Sequence, residues 1–286
     1  MPRVLIAGCG YLGQAVAELL IANAWEVEGW TNSPDSTQSL STKPYSVFAV
    51  DVSQADQVGA RKGDFDTVIH CASTHGGDTD SYRRIYFDGA QNLIQRFGSS
   101  RILVTSSTSV YAQKNGEWVT EESPAGPKHE SAAILREAED LVLANRGTII
   151  RLGGIYGPGR SALLKKFLSG DAFLDTENDR FVNQIHRDDA ASAMQLLLRQ
   201  EASTGGIYNV VDNEPILQSE CYRWLAAKLN RPLPAVGRST PKRKRGDSNK
   251  RVSNAKLRAI DWTPRYPNFA EGMEKSVLPN FGREGA

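Results

Sequence analysis

The sequence has no excess of charge of either sign. Lys and Arg number 34 against 33 Asp and Glu, a formal net charge of +1 over 286 residues, so no global field draws the chain to nucleic acid or to an anionic lipid surface. Cysteine is scarce: Cys9, Cys71 and Cys221 are scattered and odd in number. That argues against a disulfide framework and, with no Cys-x-x-Cys pair, against a cysteine-held metal; it suits a reducing compartment. Long apolar runs are missing too. The longest fall far short of the ~20 residues that span a bilayer. Met1-Pro2-Arg3 leads straight into Val4–Ala7 and then glycines, without the apolar core and cleavage site of a signal peptide. The expectation is a cytoplasmic protein. What remains is ordinary globular composition, 40% hydrophobic and 23% charged, apolar enough to bury a real core. At roughly 150 residues per domain the length suggests one large domain or two unequal ones.

Short β-rich runs alternate with helical patterns through the first half. Strands are expected at Arg3–Ala7, Trp25–Thr31, Tyr45–Val50, Thr67–Cys71, Arg101–Thr105 and Thr148–Leu152, and helices at Leu12–Ala24, Ile85–Phe97 and Ile134–Ala144. Val-Leu-Ile-Ala and Thr-Ile-Ile-Arg-Leu do not alternate polar with apolar, as expected for strands covered on both faces. Strands separated by helices predict a doubly wound parallel sheet. After Tyr156-Gly157-Pro158-Gly159 the rhythm changes: helices at Ala162–Leu168, Asp188–Arg199 and Ser219–Leu229, an extended segment at Arg180–His186, a short strand at Ile207–Val211.

Gly8-Cys9-Gly10-Tyr11-Leu12-Gly13 has the spacing GxGxxG, directly after a predicted strand and opening a predicted helix. In that context the pattern points to a dinucleotide pyrophosphate. Gly8 permits the tight turn, Gly10 lets phosphate approach the backbone, Gly13 lets helix and strand pack closely. Free N–H groups and the positive end of the helix dipole then hold the anion. An acid about 20 residues on usually binds the adenosine ribose. By count that is Glu28, but it falls mid-strand; the strand tip is Trp30-Thr31-Asn32, with neither acid nor Arg. NAD and NADP both remain open.

At this point the chain resembles the extended short-chain dehydrogenase/reductase family, the NAD-dependent epimerase/dehydratase group. The resemblance is carried by Gly8–Gly13, Asp51-Val52, Val68-Ile69-His70-Cys71-Ala72-Ser73, Thr105-Ser106-Ser107-Thr108-Ser109-Val110-Tyr111, and Arg151-Leu152-Gly153-Gly154-Ile155-Tyr156-Gly157-Pro158-Gly159. It continues in His186–Ala191, Gly206–Val210 and Asp261-Trp262-Thr263-Pro264. It implies a doubly wound parallel Rossmann sheet with helices on both faces and a smaller C-terminal substrate domain: residues 1–158 binding the dinucleotide, 159–286 the substrate, and 181–204 returning to the main domain. It also implies cofactor contacts by Gly8, Gly10, Tyr11, Leu12, Gly13, Thr31 and Asn32. Asp51 and Val52 would flank the adenine, and Cys71, Ala72 and Ser73 would line the cofactor. Thr105 and Ser106 would stand beside the nicotinamide, and Leu152, Gly153, Gly154 and Ile155 would lie against it and its ribose. Ser107 matches the family's catalytic Ser/Thr. A small-molecule substrate is implied, with no nucleic acid and no membrane; helix pairs packing between subunits are common in the family, which puts a homodimer among the expected states.

Two departures stand out. The family's Tyr-x-x-x-Lys pair sits one helical turn apart, some 25 residues beyond the serine; the lysine holds the ribose and lowers the tyrosine's pKa. Here the segment reads His129-Glu130-Ser131-Ala132-Ala133-Ile134-Leu135-Arg136-Glu137-Ala138-Glu139. Glu130 or Ser131 stands in the Tyr place and Ile134 or Leu135 in the Lys place, and no Tyr anywhere has a Lys four residues on. Gly154 replaces an Asn that helps many sugar-nucleotide members hold substrate. Both features resemble an atypical subgroup that keeps the fold without the pair. Ser107 can polarise a substrate oxygen, but a proton carrier must come from nearby; His129 and Glu130 are the candidates, either able to titrate usefully if partly buried. No metal is expected, since His186 has no second ligand at metal spacing. Three functions compete: an NAD(P)-dependent oxidoreductase, epimerase or dehydratase acting on a small carbonyl, hydroxyl or sugar-nucleotide compound; a non-catalytic dinucleotide-binding regulator or scaffold; and nucleic-acid binding through the basic run Arg238 to Arg251, which on a neutral chain reads more simply as a solvated loop.

Overall fold

Strands with no polar face need cover on both sides, and the first strand shows how this chain supplies it. The computed structural model describes residues 1–74, 76–200, 204–237 and 248–281. In Arg3–Ala7, the residues Val4, Leu5, Ile6 and Ala7 are all fully buried. Leu5 and Ala7 enter a core with Leu93 and Phe97 of a later helix and with Val142 of another. Ile6 points to the other face, against Gly13 of the helix Tyr11–Ile21. Each such side chain contributes about 1.5–3 kcal/mol of burial.

The seven-stranded sheet runs in the order Ile207–Val210, Thr148–Leu152, Arg101–Ser107, Thr67–His70, Arg3–Ala7, Glu26–Thr31, Ser46–Ala49. The last four pairs in that order are parallel, with Ala7 level with His70 on one side and Trp30 on the other. The expected doubly wound architecture is therefore present. Strand order reverses at Arg3–Ala7, the arrangement that opens a crevice at the carboxyl ends of the strands.

Two helices differ from the expectation in ways that matter for the site. The helix expected from Ile134 begins at Glu130. The helix expected from Ile85 begins at Thr79 and runs to Phe97, but its middle, Arg83–Asp88, winds in wider π-type turns. Periodicity shows neither, because helix starts and wide turns carry no regular apolar signal.

The described residues of 1–110, 125–151 and 191–208 form one compact unit, and those of 111–124, 152–190 and 209–281 a second. The second packs the helices Ala162–Ser169 and Gln218–Leu229 around a core that includes Tyr156, Phe167, Tyr222 and Phe269. Its strands are short pairs: Gly154–Tyr156 with Gln184–His186, Phe181–Val182 with Ile216–Leu217, and Glu117–Val119 with Lys250–Val252. Arg180–His186 is thus two short strands rather than one extended segment. Asp189 does not serve the helix dipole alone: its carboxylate accepts the backbone N–H groups of Arg265 and Tyr266 at 2.7 and 2.9 Å. Among the described residues no helix is long and apolar enough to cross a membrane, and no cluster of His, Cys, Asp and Glu could hold a metal ion. Arg238–Asp247, most of the basic run, lies outside the described residues.

Candidate functional site

The glycine turn is built by hydrogen bonds that leave no room for side chains. The N–H groups of Gly8 and Cys9 both donate to the Trp30 carbonyl, at 3.0 and 2.7 Å, and Gly10 donates to Gly8 at 2.8 Å. Gly8 has φ +103°, and a Cβ there would lie 2.1 Å from the Ala72 nitrogen. A Cβ on Gly13 would lie 2.4 Å from the Gly8 oxygen. Gly10 is the contrast: nothing lies within 4 Å of a Cβ placed on it. That open space sits at the N-terminus of the helix Tyr11–Ile21, whose cap has no side-chain hydrogen bond and whose first turn has no acid. A helix N-terminus leaves its first N–H groups without intrahelical partners, and one with no carboxylate in its first turn can cradle an anion. The residues fit a dinucleotide.

The other predicted cofactor residues of the first unit lie at the carboxyl ends of neighbouring strands. Cys71 and Ala72 donate their N–H groups to the Ala7 carbonyl at 2.8 and 3.1 Å. Burial pushes the thiols of Cys9 and Cys71 above the ordinary range, so neither is an activated nucleophile. Thr31 is buried and its hydroxyl is held by Thr37 at 2.8 Å, while Asn32 is exposed. Asp51 accepts Ser53 N–H and Oγ–H at 2.9 and 2.8 Å, and the Val52 carbonyl accepts Asn92 at 2.9 Å. Glu28 is spoken for: it accepts Trp30 Nε1 at 2.7 Å and Arg61 at 3.2 Å.

At the end of Arg101–Ser107, three consecutive side chains go different ways. Thr105 Oγ1 donates to the His70 carbonyl at 3.1 Å. Ser106 Oγ donates to Glu139 Oε1 at 2.6 Å. Ser107 is half-buried and its Oγ accepts the Ser109 N–H at 3.1 Å, leaving its own hydroxyl proton to offer elsewhere. Glu139, only 1% exposed, also accepts Arg151 Nε and Nη2 at 3.0 and 2.7 Å and is paired with Arg136. This bidentate buried pair joins helix Glu130–Ala144 to the sheet. Sequence reasoning missed it, although both partners left a mark. Glu139 occupies an apolar-face position of its helix, between Leu135 and Val142, and Arg151 is the one charge in a fully buried strand.

His129 and Glu130 stand at the exposed start of that helix, His129 as the residue before it. Glu130 accepts a hydrogen bond from Thr79 Oγ1 at 3.2 Å. Ile134 and Leu135, in the vacated lysine place, are both buried. Leu135 borders a packing gap too small to admit water, together with Tyr86, Val104, Thr105, Ser106, Ala138, Glu139 and Ile149.

Leu152–Ile155 belong to the second unit. Gly153 donates to the Val210 carbonyl at 3.1 Å and Gly154 to Asn183 at 2.8 Å. A Cβ on Gly153 would lie 2.9 Å from the Asn183 oxygen, whereas one on Gly154 would meet only ordinary contacts at 3.6 Å or more. The missing Asn is therefore no consequence of crowding. His186 is fully buried with Nε2 2.9 Å from Ser276 Oγ, and burial pushes its pKa down to about 4. It is a neutral core residue. Tyr111 is likewise interior, donating to Asn209 at 2.9 Å.

Comparison with known proteins now bears on this geometry. The model of the NAD dependent epimerase/dehydratase family matches residues 4–210. Protein YeeZ of Escherichia coli (strain K12) is 32% identical over 221 residues, 73% of this chain and 77% of that protein. The decarboxylating sterol-4-alpha-carboxylate 3-dehydrogenase of Bos taurus is 29% identical over 243 residues, 74% of this chain and 65% of the enzyme. In fold, the chain resembles the UDP-glucose 4-epimerase of Thermus thermophilus solved with NAD, at a TM-score of 0.83 and 23% identity over 99% of both chains.

Proposed function

This chain belongs to the NAD dependent epimerase/dehydratase family, and we propose that it is an NAD(P)-dependent oxidoreductase of the epimerase/dehydratase kind, acting on a small carbonyl, hydroxyl or sugar-nucleotide compound. One observation carries the cofactor half of this reading: the open space over Gly10, walled by Gly8 and Gly13, at an uncapped helix N-terminus. Pyrophosphate is held there by Gly8, Gly10, Tyr11, Leu12 and Gly13. Thr31 and Asn32 meet the adenosine ribose, Asp51 and Val52 flank the adenine, and Cys71, Ala72 and Ser73 line the path to the nicotinamide. Thr105, Ser106 and Leu152–Ile155 serve the nicotinamide and its ribose. With Glu28 bound to Trp30 and Arg61, and neither acid nor Arg in Trp30-Thr31-Asn32 at the strand tip, the reading is NAD or NADP without a preference between them.

A bound nicotinamide supplies hydride transfer. The chain supplies the rest: Ser107 donates its hydroxyl proton in a hydrogen bond to the substrate oxygen and polarises it, and a proton carrier works beside it, with His129 and Glu130 the candidates from sequence. The reading includes a cytoplasmic, homodimeric protein with a small-molecule partner. Calorimetry with oxidised and reduced NAD and NADP tests the cofactor half; no binding at millimolar concentration overturns it. Absorbance of reduced coenzyme, followed over a panel of sugars, nucleotide sugars and carbonyls, tests the chemistry.

A second reading is favoured by Ile134 and Leu135, buried where the family's lysine would project: a coenzyme-binding regulator without turnover. It predicts coenzyme binding with silence across the panel, and affinities that differ between the oxidised and reduced forms.

A further inference from the structure

In the second unit, the strands Glu117–Val119 and Lys250–Val252 pair in parallel, with Trp118 level with Arg251. Residues level across a ladder share a face of the sheet. On this face one cation is held from three sides. Arg251 Nε donates to the Gly116 carbonyl at 2.7 Å. Its guanidinium carbon lies 5.3 Å from the centre of the Trp118 ring and 5.1 Å from that of Phe181, both within cation–π reach. Gly116 has φ +72°, and a Cβ there would stand 3.3 Å from the Phe181 ring, so glycine lets the carbonyl and the ring reach the arginine together.

The backbone beneath the arginine is fixed as firmly. Asn183 straddles it, donating from Nδ2 to the Lys250 carbonyl at 2.9 Å and accepting the Val252 N–H on Oδ1 at 2.7 Å. Asn249 Oδ1 accepts the Phe181 N–H at 3.0 Å. The Asn249 carbonyl accepts the Gly116 N–H at 3.0 Å, which ties the two strands at their entry.

What the guanidinium lacks is an acid. Among the described residues its Nη groups have no acceptor, and no carboxylate pairs with it. The neighbouring cation is no different: buried Lys250 gives its Nζ to the Tyr111 carbonyl at 3.0 Å and to Ser248 Oγ at 2.8 Å. Burial and the charge of Arg180 push its pKa down to about 8. A half-buried cation that no carboxylate balances costs stability, and here it is held rigid at that cost. Beside it Trp118 is 53% exposed. An open indole next to an open fork of donors makes a surface with one flat apolar face and one cationic edge.

We infer that Arg251, Trp118 and Phe181 form a binding site for the carboxylate of a small organic acid, with the Nη fork taking the carboxylate and the open indole taking the carbon skeleton. The fork matches the two oxygens of a carboxylate, and its one charge balances one. A phosphate dianion would ask for a second cation, and Lys250 spends its ammonium on Tyr111 and Ser248. Because the fork is fixed before a ligand arrives, little freedom is lost on binding. The site lies wholly in the second unit and goes beyond the coenzyme reading, so either can fail without the other.

The test uses benzoate as the probe, with chloride adjusted to hold ionic strength constant, and follows tryptophan emission and calorimetric heat on the whole protein. Benzoate should change the emission saturably at millimolar concentration, and its neutral counterpart benzamide should not. Trp118→Phe should lose the emission change and keep the heat. Arg251→Met should lose both, and Arg251→Lys, which keeps the charge without the fork, should bind about tenfold more weakly. Circular dichroism shows whether each variant is folded; if Arg251→Met is not, Arg251→Lys carries the comparison. Benzoate binding that is unchanged in the arginine variants, equal binding of benzamide, or no saturable response in the unsubstituted protein overturns the site. Inorganic phosphate binding more tightly than acetate, and lost with Arg251, overturns the carboxylate assignment.

Discussion

The glycine turn at residues 8–13 and the strand end at residues 105–107 are made in opposite ways. The turn is backbone: three glycines, one free helix end, and hydrogen bonds to Trp30 within about one strand's reach. The strand end is side chains: Ser106 and Arg151 from two strands, Arg136 and Glu139 from one helix, tied into a buried ionic knot. The first keeps all three glycines of the GxGxxG pattern. The second has lost the family's Tyr/Lys pair and kept a scaffold around the gap. The proposed coenzyme site and the proposed site of chemistry thus rest on different kinds of structure.

The largest effect expected from breaking this comparison lies in the knot. Arg151→Met leaves the Glu139 charge buried beside fewer partners, and stability measured by urea unfolding should fall by about 3–5 kcal/mol. Adding Glu139→Leu in the same chain should recover most of that loss, because two apolar groups replace two charges. Failure of the double variant to recover would mean the knot holds something beyond its own charges.

Gly10→Ala probes the turn without touching the knot. A Cβ has room there, so unfolding should be unchanged, while coenzyme affinity should drop about tenfold or more, roughly 1.4 kcal/mol. Unchanged affinity by calorimetry would say that the open space is not where phosphate sits.

Acid should reach the strand end through His70. Its folded pKa lies below the unfolded 6.5, so the unfolded chain binds the extra proton. The histidine's contribution is fully present above pH 6.5 and is lost as pH falls below it. Comparing urea midpoints of the wild type and His70→Gln across that range isolates this slope from the carboxylates; parallel curves would refute it. The smallest effect is expected from Arg83→Ala. The pair it makes with Glu137 is half exposed, worth about 0.2–1 kcal/mol and screened by salt.

Much of this was legible in the chain itself. The strand at Arg3–Ala7, the helix after it and the glycines between them all follow from patterns within about twenty residues, and the parallel sheet follows from repeating that unit. The strand end was legible only up to Ser107. Nothing local announces that Ser106 turns to Glu139, or that Arg151 completes the pair; the only trace is a charge standing where the apolar period asks for a hydrophobe. In the second unit, Glu117–Val119 and Lys250–Val252 pair across nearly half of the sequence, and strands of three residues have too little period to be read.

The amino-acid order alone determined the alternating architecture and the phosphate-binding turn, because both are short-range: they need only the preferences of neighbouring residues and glycine's freedom at Gly8. Tertiary structure decided which polar groups meet at the end of Arg101–Ser107, because that depends on how helices cross a sheet. There, a few ångströms settle that Ser106 and Arg151 both meet Glu139.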